Sequence, residues 1–267
     1  MDDIPQPSEN TLLGPDDPAV FEVVNEDGAA ALQLVCDHAS KVVPGALGNL
    51  GLDGAHFERH IAFDIGCADI TRLLATRLDA QAVLAGYSRL MIDLNRPPGH
   101  PQSIPEISDE TPIPGNQNLS EDDQALRVST LFEPYHDAIH EALAHLWRRG
   151  TPPALFSIHS FSPDFGDDHR PWDVGVLWNR DPRIAVPLIE KLSALGLHVG
   201  DNLPYSGHDL AYTLNLHGAA AGLPNCVVEI NQNLVRDGQG VARWVDILTQ
   251  VMEEILLIDD LHQVREY

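Results

Sequence analysis

The chain of 267 residues is long enough for one large α/β domain or two small ones, and a hydrophobic share of 43% can fill a full core. Its 16 Lys and Arg stand against 40 Asp and Glu, a formal net charge of -24 that repels phosphate backbones and argues against nucleic-acid binding. The 3 cysteines are scattered with no CxxC pair, against a thiolate metal site or disulfide framework, and no apolar run of about 18 residues offers a membrane span.

The opening stretch MDDIPQPSEN is acidic and polar, without the basic region and apolar core of a secretory signal. Residues 1–18 are therefore expected to form a loose extension, and 19–267 a single domain. ALQLVCD (31–37) reads as a buried strand. From 56 to 78, apolar residues at Phe57, Ile61, Ile65, Leu73, Leu74 and Leu78 fit an amphipathic helix, interrupted by small residues at 66–68. QAVLAG (81–86) and RLMIDLN (89–95) read as strands. Residues 96–120, rich in Pro, Gly, Ser and Asn, form a long loop of the kind that often carries function. Ser120, followed by three acidic residues, starts a helix that runs to Arg149. Strands follow at ALFSI (154–158) and DVGVLW (173–178), then a helix over 182–195, a strand at NCVVEI (225–230) and a closing helix over 239–258.

Strands alternate with helices, and the strands are continuous apolar runs. The expected fold is α/β, with a mixed, largely parallel central sheet flanked by helices. Cys36, Cys67 and Cys226 all sit in apolar contexts and read as buried free thiols, which fits a reducing cytoplasm.

In open α/β sheets the ligand site lies beyond the carboxyl ends of the strands. The runs ALQLVC, RLMIDL, ALFSI and NCVV are followed by His38, by Asn95 and Arg96, by His159, and by Glu229. Histidine nitrogen and carboxylate oxygen are the ligands of a catalytic metal that assists hydrolysis. His38 and His159 are the candidate ligands, and Glu229 the candidate base. Asp64, four residues from His60 on the expected helix, either completes the metal site or holds a ligating imidazole. The cofactor is expected to be one divalent metal, with zinc favoured, although imidazole and carboxylate also suit manganese, iron or cobalt.

On so acidic a chain an anionic substrate needs a local cation. Arg89 and Arg96 offer a planar fork for a carboxylate, or else pair with Asp93. Asn95 is positioned to donate to a substrate carbonyl, Asn116 either contacts ligand or shapes a turn, and Tyr205, Thr213 and His217 are weaker candidates for the same rim. His100, His136, His140 and His145 read as loop or helix-surface residues. The chain has no GxSxG elbow, Walker loop or GxGxxG, and HEALAH (140–145) misses the HExxH spacing by one.

The segments DHASKVVPGALGNLGL, RHIAFDIG, LAGYSRLMIDLNRPP, SIPEISDETPIPGN, PYHDAI, SIHSFSP, RPWDVGVLW and VVEINQNLV together resemble the N-formylglutamate amidohydrolase family, in order, over about residues 30–250. The resemblance implies a zinc-exopeptidase-like (phosphorylase/hydrolase-like) fold. It also implies hydrolysis of N-formyl-L-glutamate to formate and glutamate, late in histidine degradation. A small anionic N-acyl amino acid is the implied partner. Hydrolysis of another N-acyl amino acid or of a short peptide, or a non-catalytic ligand-binding role on the same fold, are the alternatives. His38, Asp64, His159, Glu229, Arg89 and Arg96 match family motif positions. Two places differ. The family often reads Glu-His where Asp37 precedes His38, and its common EIRQDL is EINQNL here, with Asn231 and Asn233 in place of a cation and an acid.

Overall fold

The structure is a computed structural model that describes residues 11–166 and 168–267. In chain order the strands are β1 (Phe21–Val24), β2 (Leu32–Cys36), β3 (Gln81–Ala85), β4 (Ile107–Ser108), β5 (Thr111–Pro112), β6 (Ala154–Phe161), β7 (Asp164–Phe165), β8 (Asp168–His169), β9 (Val174–Leu177), β10 (Val199–Asp201) and β11 (Asn225–Asn231). The helices are α1 (Cys67–Arg77), α2 (Glu121–Arg127), α3 (Glu133–Trp147), α4 (Pro182–Ala194), α5 (Gly207–Leu210), α6 (Tyr212–His217) and α7 (Gly238–Leu256).

Seven strands form one sheet in the order β1-β3-β2-β6-β11-β9-β10. The pairs β3/β2, β2/β6, β6/β11 and β9/β10 are parallel, while β1 and β9 run antiparallel to their neighbours β3 and β11. The expected mixed, largely parallel sheet is thus what forms. β2, β3, β6 and β9 are buried along their whole length, as strands covered on both faces must be.

Side chains alternate between the two faces of a strand, and this sorts the core into two layers. Leu32, Leu34, Phe156, Ile158 and Val228 face α1, α4 and α7. Val35, Leu155 and Val227 face the other way, towards α3, α6 and the turn that carries Leu90, Met91 and Ile92. The same alternation puts His159 with Leu155, and Glu229 with Val227, on the second face. Cys36, Cys67 and Cys226 are free and buried, as expected.

Several expected elements differ. Residues 89–95 form no strand. The run is a largely buried turn, whose Arg89 and Asp93 amides, with that of the preceding Ser88, donate to the Ala62, Ser103 and Val42 carbonyls. The 56–78 helix is short: a 3-10 turn over Gly54–Glu58 precedes a non-helical stretch, and α1 begins only after Gly66. Gly66 has φ of 80°, and a Cβ there would come 2.5 Å from the Val235 carbonyl oxygen, so the chain is forced off the helical path. His60 and Asp64 therefore share no helix face. The helix expected over 120–149 is α2 and α3 joined by a π-type turn at Val128–Phe132.

Of the extension expected over 1–18, residues 1–10 lie outside the described residues. The remainder touches the body: Leu12 is buried in the second layer, and the Pro18 carbonyl accepts from the Tyr87 hydroxyl. None of the helices of the described residues is long and apolar enough to cross a membrane.

Candidate metal and active site

Parallel pairing of β6 with β11 sets His159 directly opposite Glu229. His38 follows the neighbouring β2, two residues past its end. Asp64 comes from the non-helical stretch before α1, its amide donating to the His38 carbonyl at 3.0 Å. The three residues His38, Asp64 and His159 are buried, and each offers a ligand atom within 4.8 Å of the others. This group can hold a metal ion.

The two imidazoles are held alike. His159 turns Nδ1 to Asp64 Oδ2 at 2.8 Å and Nε2 to Asp37 Oδ2 at 3.1 Å. His38 turns Nδ1 to the same Asp64 oxygen at 3.2 Å and Nε2 to Asp93 Oδ1 at 2.8 Å. Each ring therefore has its outer nitrogen fixed on a buried carboxylate and its inner nitrogen turned to Asp64 at a shared centre. Carboxylate–imidazole pairs of this kind set the orientation and basicity of metal-ligating histidines. The donor set of two imidazoles and a carboxylate fits a divalent cation of the zinc type.

The electrostatics follow from this packing. Burial opposes charge on His159, but its bonds to Asp37 and Asp64 outweigh burial and hold its pKa well above the usual value. Burial raises Asp64, yet His38 and His159 pull it far below the usual carboxylate range. Glu229 differs. It is 8% exposed, and burial pushes its carboxyl up to about 7, against the opposing pull of His159. A carboxyl at that value exchanges protons readily near neutrality.

These groups line a cavity of about 380 Å³ together with Arg89, Asn95, Arg96 and Tyr205. Of the sequence candidates, Asn116, Thr213 and His217 fall outside it. Asn116 is buried, its amide nitrogen donates to the Leu90 and Pro105 carbonyls, and its oxygen accepts from Arg127. It shapes the loop and does not face the cavity. Arg89 is ion-paired with Asp93 at 2.5 Å and reaches Asp64 at 3.5 Å. Arg96 donates only to the Asn95 and Leu210 carbonyls, and among the described residues its buried Nε has no partner. Asn95 is anchored on the cavity wall: its amide nitrogen donates to the Leu210 carbonyl and its oxygen accepts from the Thr213 amide. His60 sits on the cavity wall 3.6 Å from Asp109.

Four residues sit where the sequence pattern does not place them. Asp37 and Asp93 orient the two imidazoles, and the sequence signal for both was an acid inside or beside an apolar run, which must be paired when buried. Thr213 does not reach the rim: its hydroxyl donates to Asp37 Oδ1 at 2.9 Å, beside the Tyr135 hydroxyl at the same distance. His136, expected on a helix surface, is buried. Its Nε2 donates to the Leu94 carbonyl, so its Nδ1 accepts from His217 Nε2 at 2.8 Å.

A site that can hold a metal, a proton-exchanging carboxyl and a cavity between them are the equipment of a hydrolase. The family model for N-formylglutamate amidohydrolase matches residues 30–236. The chain belongs to that family and is a hydrolase of an amide bond. The crystal structure of an Agrobacterium tumefaciens gene product is similar at 32% identity and a TM-score of 0.89, covering 92% of this chain and 98% of that one. The N-formylglutamate amidohydrolase of Ralstonia eutropha JMP134 shares the fold at 17% identity and a TM-score of 0.73, covering 90% and 97%. No curated protein matches by sequence.

Proposed function

We propose that the chain is a metal-dependent amidohydrolase of N-acyl amino acids, with N-formyl-L-glutamate as substrate and zinc as the metal. The observation that carries this reading is the convergence of His38 and His159 Nδ1 on Asp64, each ring fixed from behind by Asp93 or Asp37. His38, Asp64 and His159 would hold the cation. When bound, the cation acidifies water and polarises the acyl carbonyl.

The remaining chemistry belongs to the chain. Glu229 takes the proton of the attacking water and returns it to the leaving nitrogen, a role suited to a carboxyl near 7. Arg96 grips the substrate carboxylate, because its guanidinium is bound only through Nη1 while Nε lacks a partner among the described residues. Arg89, committed to Asp93 and Asp64, stiffens the support of His38 and adds positive charge to the cavity. Acyl cleavage then yields a carboxylic acid and a free amino acid.

A bulkier acyl group is a second reading, favoured by the cavity of about 380 Å³ and its apolar wall of Phe161, Leu177, Leu210 and Val227. The test of both is one assay. Release of amino acid is followed from a panel of N-acyl amino acids, before and after chelation and zinc restoration, with elemental analysis of the purified protein. Metal-dependent glutamate release supports the proposal. Preference for a longer acyl chain moves the substrate, and turnover unaffected by complete metal removal overturns the mechanism.

A further inference from the structure

Tyr205 lines the cavity, and Arg170 lies behind it. The Arg170 guanidinium stacks on the Tyr205 ring at 4.7 Å from the centroid, and its Nη1 donates to the phenol oxygen at 2.6 Å. Nη1 also reaches the Ser162 carbonyl at 3.5 Å, and the Arg170 amide donates to the Pro163 carbonyl at 2.8 Å. Arg170 is only 5% exposed. The loop that carries Tyr205 is pressed onto the sheet at Gly175, where a Cβ would come 2.2 Å from the Leu203 carbonyl oxygen. Both partners are thus fixed by backbone they do not share.

A phenol has one hydrogen and accepts through its lone pairs. A guanidinium that donates to the oxygen occupies a lone pair and repels the hydroxyl hydrogen. The hydrogen must then point away from Arg170, and the open side of Tyr205 is the cavity that Glu229 also lines. A charged donor behind the oxygen also polarises the O–H and strengthens it as a donor.

We propose that Arg170 is a positioning residue of the amidohydrolase reaction: it acts through Tyr205, aiming the phenolic O–H into the cavity as a fixed donor to a substrate oxygen. The inference rests on this cavity being the substrate site, as the proposed function has it.

The test is a double-mutant cycle of Arg170→Ala and Tyr205→Phe, read in kcat/KM for the best substrate of the acyl panel. Each single variant is expected to lose roughly 10–100-fold, the range of a lost charge-assisted donor. The double variant is expected to match the worse single within about twofold, because the arginine has nothing left to aim. Added guanidinium restores Arg170→Ala and leaves the double variant unchanged, a response a merely structural arginine would not show. Independent, multiplying losses overturn the proposal, as does an Arg170→Ala enzyme with wild-type kcat/KM. If Arg170→Ala fails to fold by circular dichroism, Arg170→Lys takes its place, with a smaller loss that must vanish in the Tyr205→Phe background. A wild type that binds an acyl amino acid without cleaving it sinks the proposed reaction alone; the same cycle is then read in Kd, with the same two outcomes.

Discussion

Asp37→Asn tests how the imidazoles are held. Asp37 is 1% exposed, its Oδ1 accepts from the Tyr135 and Thr213 hydroxyls, and its Oδ2 faces His159 Nε2 at 3.1 Å. Asparagine keeps the volume, and its carbonyl oxygen can stay beneath the two hydroxyls. Its amide nitrogen then takes the place of Oδ2 and meets the Nε2 hydrogen, donor against donor. The ring relieves the conflict by moving its proton to Nδ1, the nitrogen that faces Asp64 at 2.8 Å. A protonated Nδ1 cannot ligate a cation. Losing such an outer partner costs roughly 10–100-fold in metal affinity, or about 1.4–2.8 kcal/mol. Competition against a chromophoric chelator reads the affinity, and amide hydrolysis reads the consequence. Asp37→Ala is the control: it leaves the Tyr135 hydroxyl buried without its acceptor, at about 1–3 kcal/mol, and Thr213 with only the Leu94 carbonyl at 3.5 Å, so its Tm must fall further than that of Asp37→Asn. Wild-type metal affinity and rate in Asp37→Asn would refute the tautomer argument.

Glu229→Gln is expected to keep its metal and lose about 10²–10⁴-fold in kcat, as befits a lost general base; a rate near wild type removes Glu229 from that role. Arg96→Ala should raise KM roughly 10–100-fold with little change in kcat, the mark of binding lost equally in ground and transition states; a fallen kcat at constant KM would place the carboxylate anchor elsewhere. Burial, then neighbouring His136, pulls His217 down to about 4, so between the ordinary 6.5 and 4 the unfolded chain binds the extra proton, and stability complete above about pH 6.5 falls by up to about 3 kcal/mol as pH drops towards 4. Urea midpoints across that window in wild type and His217→Asn check this, and an equal acid loss in both acquits His217.

The elements legible in the sequence were those whose signal is local. β2, β6 and β11 are apolar runs because parallel strands at the centre of a sheet are covered twice. β1 escaped notice because it is a four-residue edge strand, its ends half-buried and its middle exposed. Leu90 to Ile92 carry the same composition as a strand, yet they form a turn, since an apolar run records burial and not backbone direction. What makes the turn tolerable is remote: the 89–95 amides find the Ala62 and Ser103 carbonyls, partners that no local pattern names. In sequence Gly66 is only a small-residue interruption, but its left-handed conformation ends the helical path altogether and frees Asp64 to reach both imidazoles.

The same division governs the site. His38, His159 and Glu229 were legible because each sits at or near the carboxyl end of a central strand, and a ladder of known register brings such residues together. The carboxylates behind them were not, because their work depends on burial. Asp37 and Asp93 are 1% and 3% exposed, and each must find a partner for its charge once water is gone. The imidazoles supply that partner, and in return have their tautomers fixed. Asn116 shows the converse. Its place on a long polar loop suggested a ligand contact, but both of its donors and its acceptor are spent within the loop's own scaffold. Sequence position marks which side chains can reach a site; the hydrogen bonds already made decide which of them are still free to act there. That criterion is why we propose Arg96 over Arg89 as the substrate anchor, although both arginines flank the same apolar turn.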